Sequence, residues 1–182
     1  MSSSRVLDCH MQMDRYEEAL PDLSRAIELH PKLDWAIAER GETYQQMGRY
    51  EEALADLSRA IELNPEHTWA FARRGETYRL VKRYEEALAD LSRAIELDPT
   101  DHWALAKRGQ TYRLMKRFED ALADLSRAVE LDPKLDWAIA ERAETYQQVG
   151  RYEEALPTSP KPSSSTRSTP GRSRGARRRT GS

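Results

Sequence analysis

The chain has 182 residues, of which 33% are charged, 38% apolar and 8% aromatic, the balance of a soluble, mostly helical protein of modest size. Its net charge of −2 hides an asymmetry: residues 1–157 hold 31 acids against 22 bases, a net of −9, and residues 158–182 hold seven bases and no acid. The single cysteine, Cys9, excludes an intramolecular disulfide, no apolar run approaches membrane-spanning length, and the start "MSSSRVLDCHMQ" lacks a signal-peptide core, so the expected compartment is the cytoplasm.

A spacing of 34 residues organises the elements in chain order. Tyr16, Tyr50, Tyr84, Phe118 and Tyr152 keep it, as do Trp35, Trp69, Trp103 and Trp137, and Pro31, Pro65, Pro99 and Pro133. Residues 1–33 form a degenerate partial unit. Its first helix, "SSSRVLDCHMQM", has lost the Trp, Gly and Tyr landmarks. Its second carries Pro21 where later units have Ala55, Ala89 and Ala123. An interior proline removes a hydrogen bond and costs about 3 kcal/mol, which predicts a kinked or frayed helix there. Unit 34–67 predicts a helix A from about Trp35 to Met47, a turn at Gly48–Arg49, and a helix B from Tyr50 to Leu63 that Pro65 stops. Ala53, Leu54, Leu57, Ala60, Ile61 and Leu63 make an amphipathic stripe, and Gly41 sits where helices approach closely. Units 68–101 and 102–135 repeat the pattern. Unit 136–156 keeps helix A, with Ala143 in the Gly place, and only the start of helix B. Such hairpins bury their apolar faces only by stacking, which predicts a helical solenoid.

Period and motif resemble the tetratricopeptide repeat. Gly41, Tyr44, Ala53, Ala60 and Pro65 match its pattern, as do Gly75, Tyr78, Ala87, Ala94 and Pro99, and Gly109, Tyr112, Ala121, Ala128 and Pro133. The resemblance covers roughly residues 14–156. It implies an all-α, right-handed superhelical solenoid and a non-enzymatic module that binds a peptide or a partner helix in a concave groove lined by helix A. By family position that groove presents Trp35, Ala38, Glu42, Gln45 and Gln46; Trp69, Ala72, Glu76 and Arg79; Trp103, Ala106, Gln110 and Arg113; and Trp137, Ala140, Glu144 and Gln147. The alternative for the tryptophans is packing between repeats with only an edge exposed. Family members that clamp a C-terminal carboxylate need Lys and Asn at helix-A positions that here hold alanines (38, 72, 106, 140) and Glu42, Glu76, Gln110 and Glu144, so that mode does not carry over. The charge of the body favours a basic or mixed-charge partner.

Residues 157–182 break the pattern with a Ser/Pro/Arg tail, expected to be disordered. Read one base upstream, the tail's possible codons spell the missing continuation: Thr158 falls on Asp, Arg167 on Pro, Gly171 on Trp and Thr180 on Tyr. We therefore read the tail as a frameshifted repeat. Two other function classes follow: a non-functional piece of a larger multidomain regulator, and a nucleic-acid binder acting through "RSRGARRR". Neither a specific nucleic acid nor a membrane is expected as partner. Both ends of the array lack the polar cap a solenoid needs, which points to end-to-end self-association.

No catalytic, metal or cofactor site is expected. His10, His30, His67 and His102 form no paired ligand set, and Cys9–His10 has no partner cluster. Glu51–Glu52 and Glu85–Glu86 open helices, where the dipole favours them. Ser24, Ser58, Ser92 and Ser126 have no base beside them.

Overall fold

The computed structural model describes residues 3–151 and 153, with side chains from residue 15 onward. The tail, residues 157–182, with its expected disorder and frameshift, therefore lies outside the described residues. Eight helices fill the described chain, with no strand among them: α1 (Ser3–Leu29), α2 (Asp34–Gln46), α3 (Tyr50–Leu63), α4 (Thr68–Leu80), α5 (Tyr84–Leu97), α6 (His102–Leu114), α7 (Phe118–Leu131) and α8 (Asp136–Gln148). The pairs α2–α3, α4–α5 and α6–α7 pack as hairpins. The second helix of each pair also packs on the first helix of the next, and α1 packs on α2. Each hairpin thus buries its remaining apolar face on its neighbour.

The turns follow from local backbone chemistry. Within each unit, helix A ends at a residue with positive φ: Gly48 at 73°, Lys82 at 64°, Lys116 at 61° and Gly150 at 75°. The left-handed conformation lets Gly48 N–H donate to the Gln45 carbonyl and Arg49 N–H to that of Tyr44, at 2.9 and 2.8 Å. At the end of helix B, Asn64, Asp98 and Asp132 precede prolines and are extended, with ψ of 93–95°. A following proline disfavours helical geometry.

The first unit departs from expectation. Instead of two helices with a kinked or frayed second one, α1 runs unbroken from Ser3 to Leu29 through Pro21. The position matching Gly48 is Asp14, which is helical, so no left-handed residue breaks the chain there. Pro21 and Glu17 are both exposed. The Glu17 carbonyl that loses its donor therefore lies on the solvent side, where water replaces the bond.

The core is built from small residues. Ala53, Leu57 and Ala60, with their counterparts Ala87, Leu91, Ala94 and Ala121, Leu125, Ala128, are fully buried. A Cβ added at Gly41, Gly75 or Gly109 would stand 2.8 Å from the Cγ of Leu57, Leu91 or Leu125. Glycine at these positions thus sets how closely helix A approaches helix B.

A polar bond set fastens each hairpin. Arg40 Nε and Nη2 donate to Asp56 at 2.6 and 2.9 Å, and Nη1 donates to Ser24 Oγ at 3.2 Å. Arg74 does the same with Asp90 and Ser58, and Arg108 with Asp124 and Ser92. The fork geometry of arginine on carboxylate fixes the pairing of helices sixteen residues apart. Ser24, Ser58 and Ser92 are hydrogen-bond acceptors in this lock.

Candidate functional site

Helices α2, α4, α6 and α8 are the first helices of successive units, and their side chains meet from unit to unit. Each opens with a tryptophan in its first turn. Four residues on, hence on the same helix face, stand Glu39, Arg73, Lys107 and Glu141. The Arg73 guanidinium lies 5.4 Å from the Trp69 ring centroid and 4.5 Å from that of Trp103. Lys107 Nζ lies 5.2 Å from Trp103 and 4.6 Å from Trp137. The result is a ladder, Trp69–Arg73–Trp103–Lys107–Trp137, in which each cation sits between two electron-rich faces. Trp69, Trp103 and Trp137 are half-buried in it. Trp35 has Glu39 in the cation's place and is 54% exposed.

Acidic residues complete the wall. Glu42 pairs with Arg73 at 2.8 Å, and Glu76 pairs with Lys107 at 3.0 Å and Arg79 at 2.7 Å. Arg113 reaches Glu141 at 2.8 Å and Glu144 at 3.0 Å, and Gln110 donates to Glu141 at 2.6 Å. Gln45 Nε2, buried, donates to Thr77 Oγ1 at 2.9 Å. That hydroxyl in turn donates to the Arg73 carbonyl, a back-bond repeated by Thr43, Thr111 and Thr145. Arg73 Nε is buried without a hydrogen bond, and the two indoles beside it supply the remaining stabilisation.

Two glutamates in one column respond oppositely to this environment. Burial pushes the Glu42 carboxyl above its ordinary value, against the pull of Arg73. Burial would do the same to Glu76, but the Arg79 hydrogen bond and the charges of Lys107 and Arg79 hold it below. Two cations outweigh desolvation where one does not.

Of the residues the sequence assigns to a groove, Glu42, Gln45, Trp69, Glu76, Arg79, Trp103, Gln110, Arg113, Trp137 and Glu144 take part in this network. Trp35 stands at its open end. Gln147 is exposed and makes no side-chain hydrogen bond among the described residues. The sequence reading omits Arg73 and Lys107. Their signal is a column that changes charge from unit to unit, beside alanine columns that do not change. Leu80 and Leu114 are omitted as well; they are 38% and 40% exposed in the column that holds Gln46 and Gln148. Among the described residues no group of three or more His, Cys, Asp or Glu could hold a metal ion, and no helix is long and apolar enough to cross a membrane. What this wall offers is aromatic and leucine surface flanked by ions that are already neutralised.

No curated protein matches the chain. Solved structures do. MamA from residue 41 on, from Desulfovibrio magneticus RS-1, is 20% identical over 85% of this chain and 91% of that one, with a TM-score of 0.70. YrrB, described as a TPR protein with an unusual peptide-binding site, is 25% identical over 80% and 75%, with a TM-score of 0.64. The first TPR of Spaghetti (RPAP3), bound to an HSP90 peptide, is 24% identical over 64% and 93%, with a TM-score of 0.63. A model of the tetratricopeptide repeat matches residues 35–67, 68–101 and 102–135. Matched unit by unit over more than half its length, and folded as the hairpin array that the motif implies, the chain belongs to the tetratricopeptide repeat family.

Proposed function

We propose that the protein is a non-enzymatic interaction module that takes an extended peptide or a partner helix along the face built by α2, α4, α6 and α8. One observation carries the reading. Helix B is nearly constant, α3 and α5 both reading "YEEALADLSRAIEL" and α7 differing only by the conservative Phe118, Asp120 and Val129, whereas helix A differs at more positions and in charge. It reads "DWAIAERGETYQQ", "TWAFARRGETYRL" and "HWALAKRGQTYRL" in α2, α4 and α6. A scaffold can be uniform, but a surface that reads a non-uniform ligand cannot. The two kinds of surface are divided between the two helices.

The chemistry of that face selects the partner. Its cations are spent on internal pairs, so an anionic peptide finds no free charge in the middle of the wall. Trp35, Leu80 and Leu114 remain to bury apolar side chains, and aromatic anchors dominate the energetics of such contacts. The partner is therefore a peptide with spaced apolar residues and mixed charge. Two of the structural relatives are described as peptide-bound or peptide-binding, which supports the same class.

The test is selection from a random peptide library followed by titration. Leu80→Gln with Leu114→Gln is expected to weaken the selected peptides at least about tenfold, an apolar loss of about 1.4 kcal/mol or more. Arg59→Gln, on an exposed face of α3, is expected to leave them unchanged. Equal binding by all three proteins sinks the groove reading.

A further inference from the structure

Both ends of the array carry one half of a contact that the middle makes three times. In α2–α3, α4–α5 and α6–α7, an arginine of helix A grips an aspartate sixteen residues on. Helix α8 supplies only the first half. Arg142 is in register with Arg40, Arg74 and Arg108, yet among the described residues it makes no ion pair or side-chain hydrogen bond. Position 158, sixteen residues on, holds Thr158. Ile139 is half-buried and Ala140 exposed, where Ile37, Phe71, Leu105 and Ala38, Ala72, Ala106 are buried.

Helix α1 supplies the second half. Ala19, Leu23 and Ala26 are in register with the fully buried Ala53, Leu57 and Ala60, but are only half-buried. Asp22 is exposed and unpaired among the described residues, where Asp56, Asp90 and Asp124 are buried beneath their arginines. Sixteen residues before it stands Val6, which has no charge to offer. A cleft of about 700 Å³ lies at this face, lined by Asp22, Leu23 and Ala26 of α1 and by Trp35, Glu39 and Glu42 of α2. It opens where the pattern of the other units places a helix A.

We propose that α8 of one molecule seats in the α1–α2 cleft of a second copy. Asp136–Gln148 of one chain and Tyr16–Leu29 of the next then form a hybrid unit that continues the array head to tail. The charges complement one another at the lock: Arg142 and the second copy's Asp22, each without an ion pair among the described residues, meet in the register of Arg40 and Asp56. Ser126, in register with Ser24, Ser58 and Ser92, accepts the arginine's other arm. The exposed Trp35 is covered by the same helix. Pro21 does not obstruct the fit, because it is exposed, in the column of the exposed Ala55, Ala89 and Ala123.

Two features keep the contact reversible. Ala143 stands where a Cβ meets the helix-B leucine at 2.8 Å, so the hybrid pair is spaced slightly wider than the others. In the register of Glu42–Arg73 and Glu76–Lys107, Glu144 of α8 falls on the second copy's Glu39, a like-charge contact that weakens the joint. The interface is heterologous, so assembly does not stop at a dimer.

Sedimentation velocity on the full chain, from about 1 μM to about 1 mM, tests the idea. Average mass is expected to rise past the dimer with concentration. Asp22→Arg and Arg142→Asp each place like charges across the joint, and each variant alone is expected to stay at monomer mass. Mixed one to one they are expected to assemble again, since every altered end then meets its complement. Among the described residues neither makes an ion pair or a side-chain hydrogen bond, so the circular dichroism of both variants is expected to match the parent. A wild-type chain that stays monomeric throughout overturns the proposal. So does assembly indifferent to both substitutions, as a tail-driven association would be, or a mixture that remains monomeric.

Discussion

Glu42 and Glu76 occupy the same place in successive units and are separated by what faces them. The raised Glu42 carboxyl is a net cost of burial, and the lowered Glu76 carboxyl is a net gain from two cations. Glu76→Gln is therefore expected to destabilise the fold by about 2 kcal/mol at neutral pH, the scale for a hydrogen bond to a charged group. Glu42→Gln is expected to stay within about 0.5 kcal/mol. The sign of the pH dependence follows from linkage. Glu76's contribution is fully present above the ordinary glutamate value of 4.5 and is lost as pH falls through its lower folded value. Urea melts of wild type and Glu76→Gln are thus expected to converge on acidification. A constant gap down to pH 3 would show that the carboxylate's charge is not what stabilises.

Helices α2 and α3 show what an element takes from its sequence and what it takes from its neighbours. The expected bounds of helix B, Tyr50 to Leu63, match α3, because a proline and an amphipathic stripe mark them. Helix A was legible as a helix to within one residue, but the partners of its polar residues were not. For Gln45, Gln110 and Arg113 they come from the next unit, 28 to 32 residues away, and no periodicity within one helix encodes them. The unbroken α1 departs from the sequence expectation for a related reason. An interior proline is costly in general, but here its lost bond faces solvent. Turns carry a testable detail of their own. Lys82 and Lys116 hold the left-handed conformation that Gly48 and Gly150 hold elsewhere. A residue with a Cβ gives up about 1–2 kcal/mol in that region. Lys82→Gly is expected to raise stability by about 1 kcal/mol, read as a higher melting temperature, and an unchanged or lower one would place the strain elsewhere.

The whole molecule is a line of near-identical contacts with two unlike ends. Stability in such a line is a sum of unit and neighbour terms, so it declines where neighbours run out. Amide hydrogen exchange is expected to be slowest in α4, α5 and α6 and fastest in α1 and α8, with a graded profile between. Uniform protection across all eight helices would mean that the array opens only as a block.

The identity of α3 and α5 also has a genetic consequence. Because both read "YEEALADLSRAIEL", excising 34 residues between equivalent points, for instance 51–84, leaves a junction with the same sequence as before. Arg40 would then face the aspartate now held by Asp90, on an identical helix and at the same spacing. Loss or duplication of one unit by recombination is silent at the seam. Array length is therefore free to drift at that seam, and the differences among the first helices, Arg73 against Lys107 or Gln45 against Arg79, together with Phe118, Asp120 and Val129 of α7, record which unit is which.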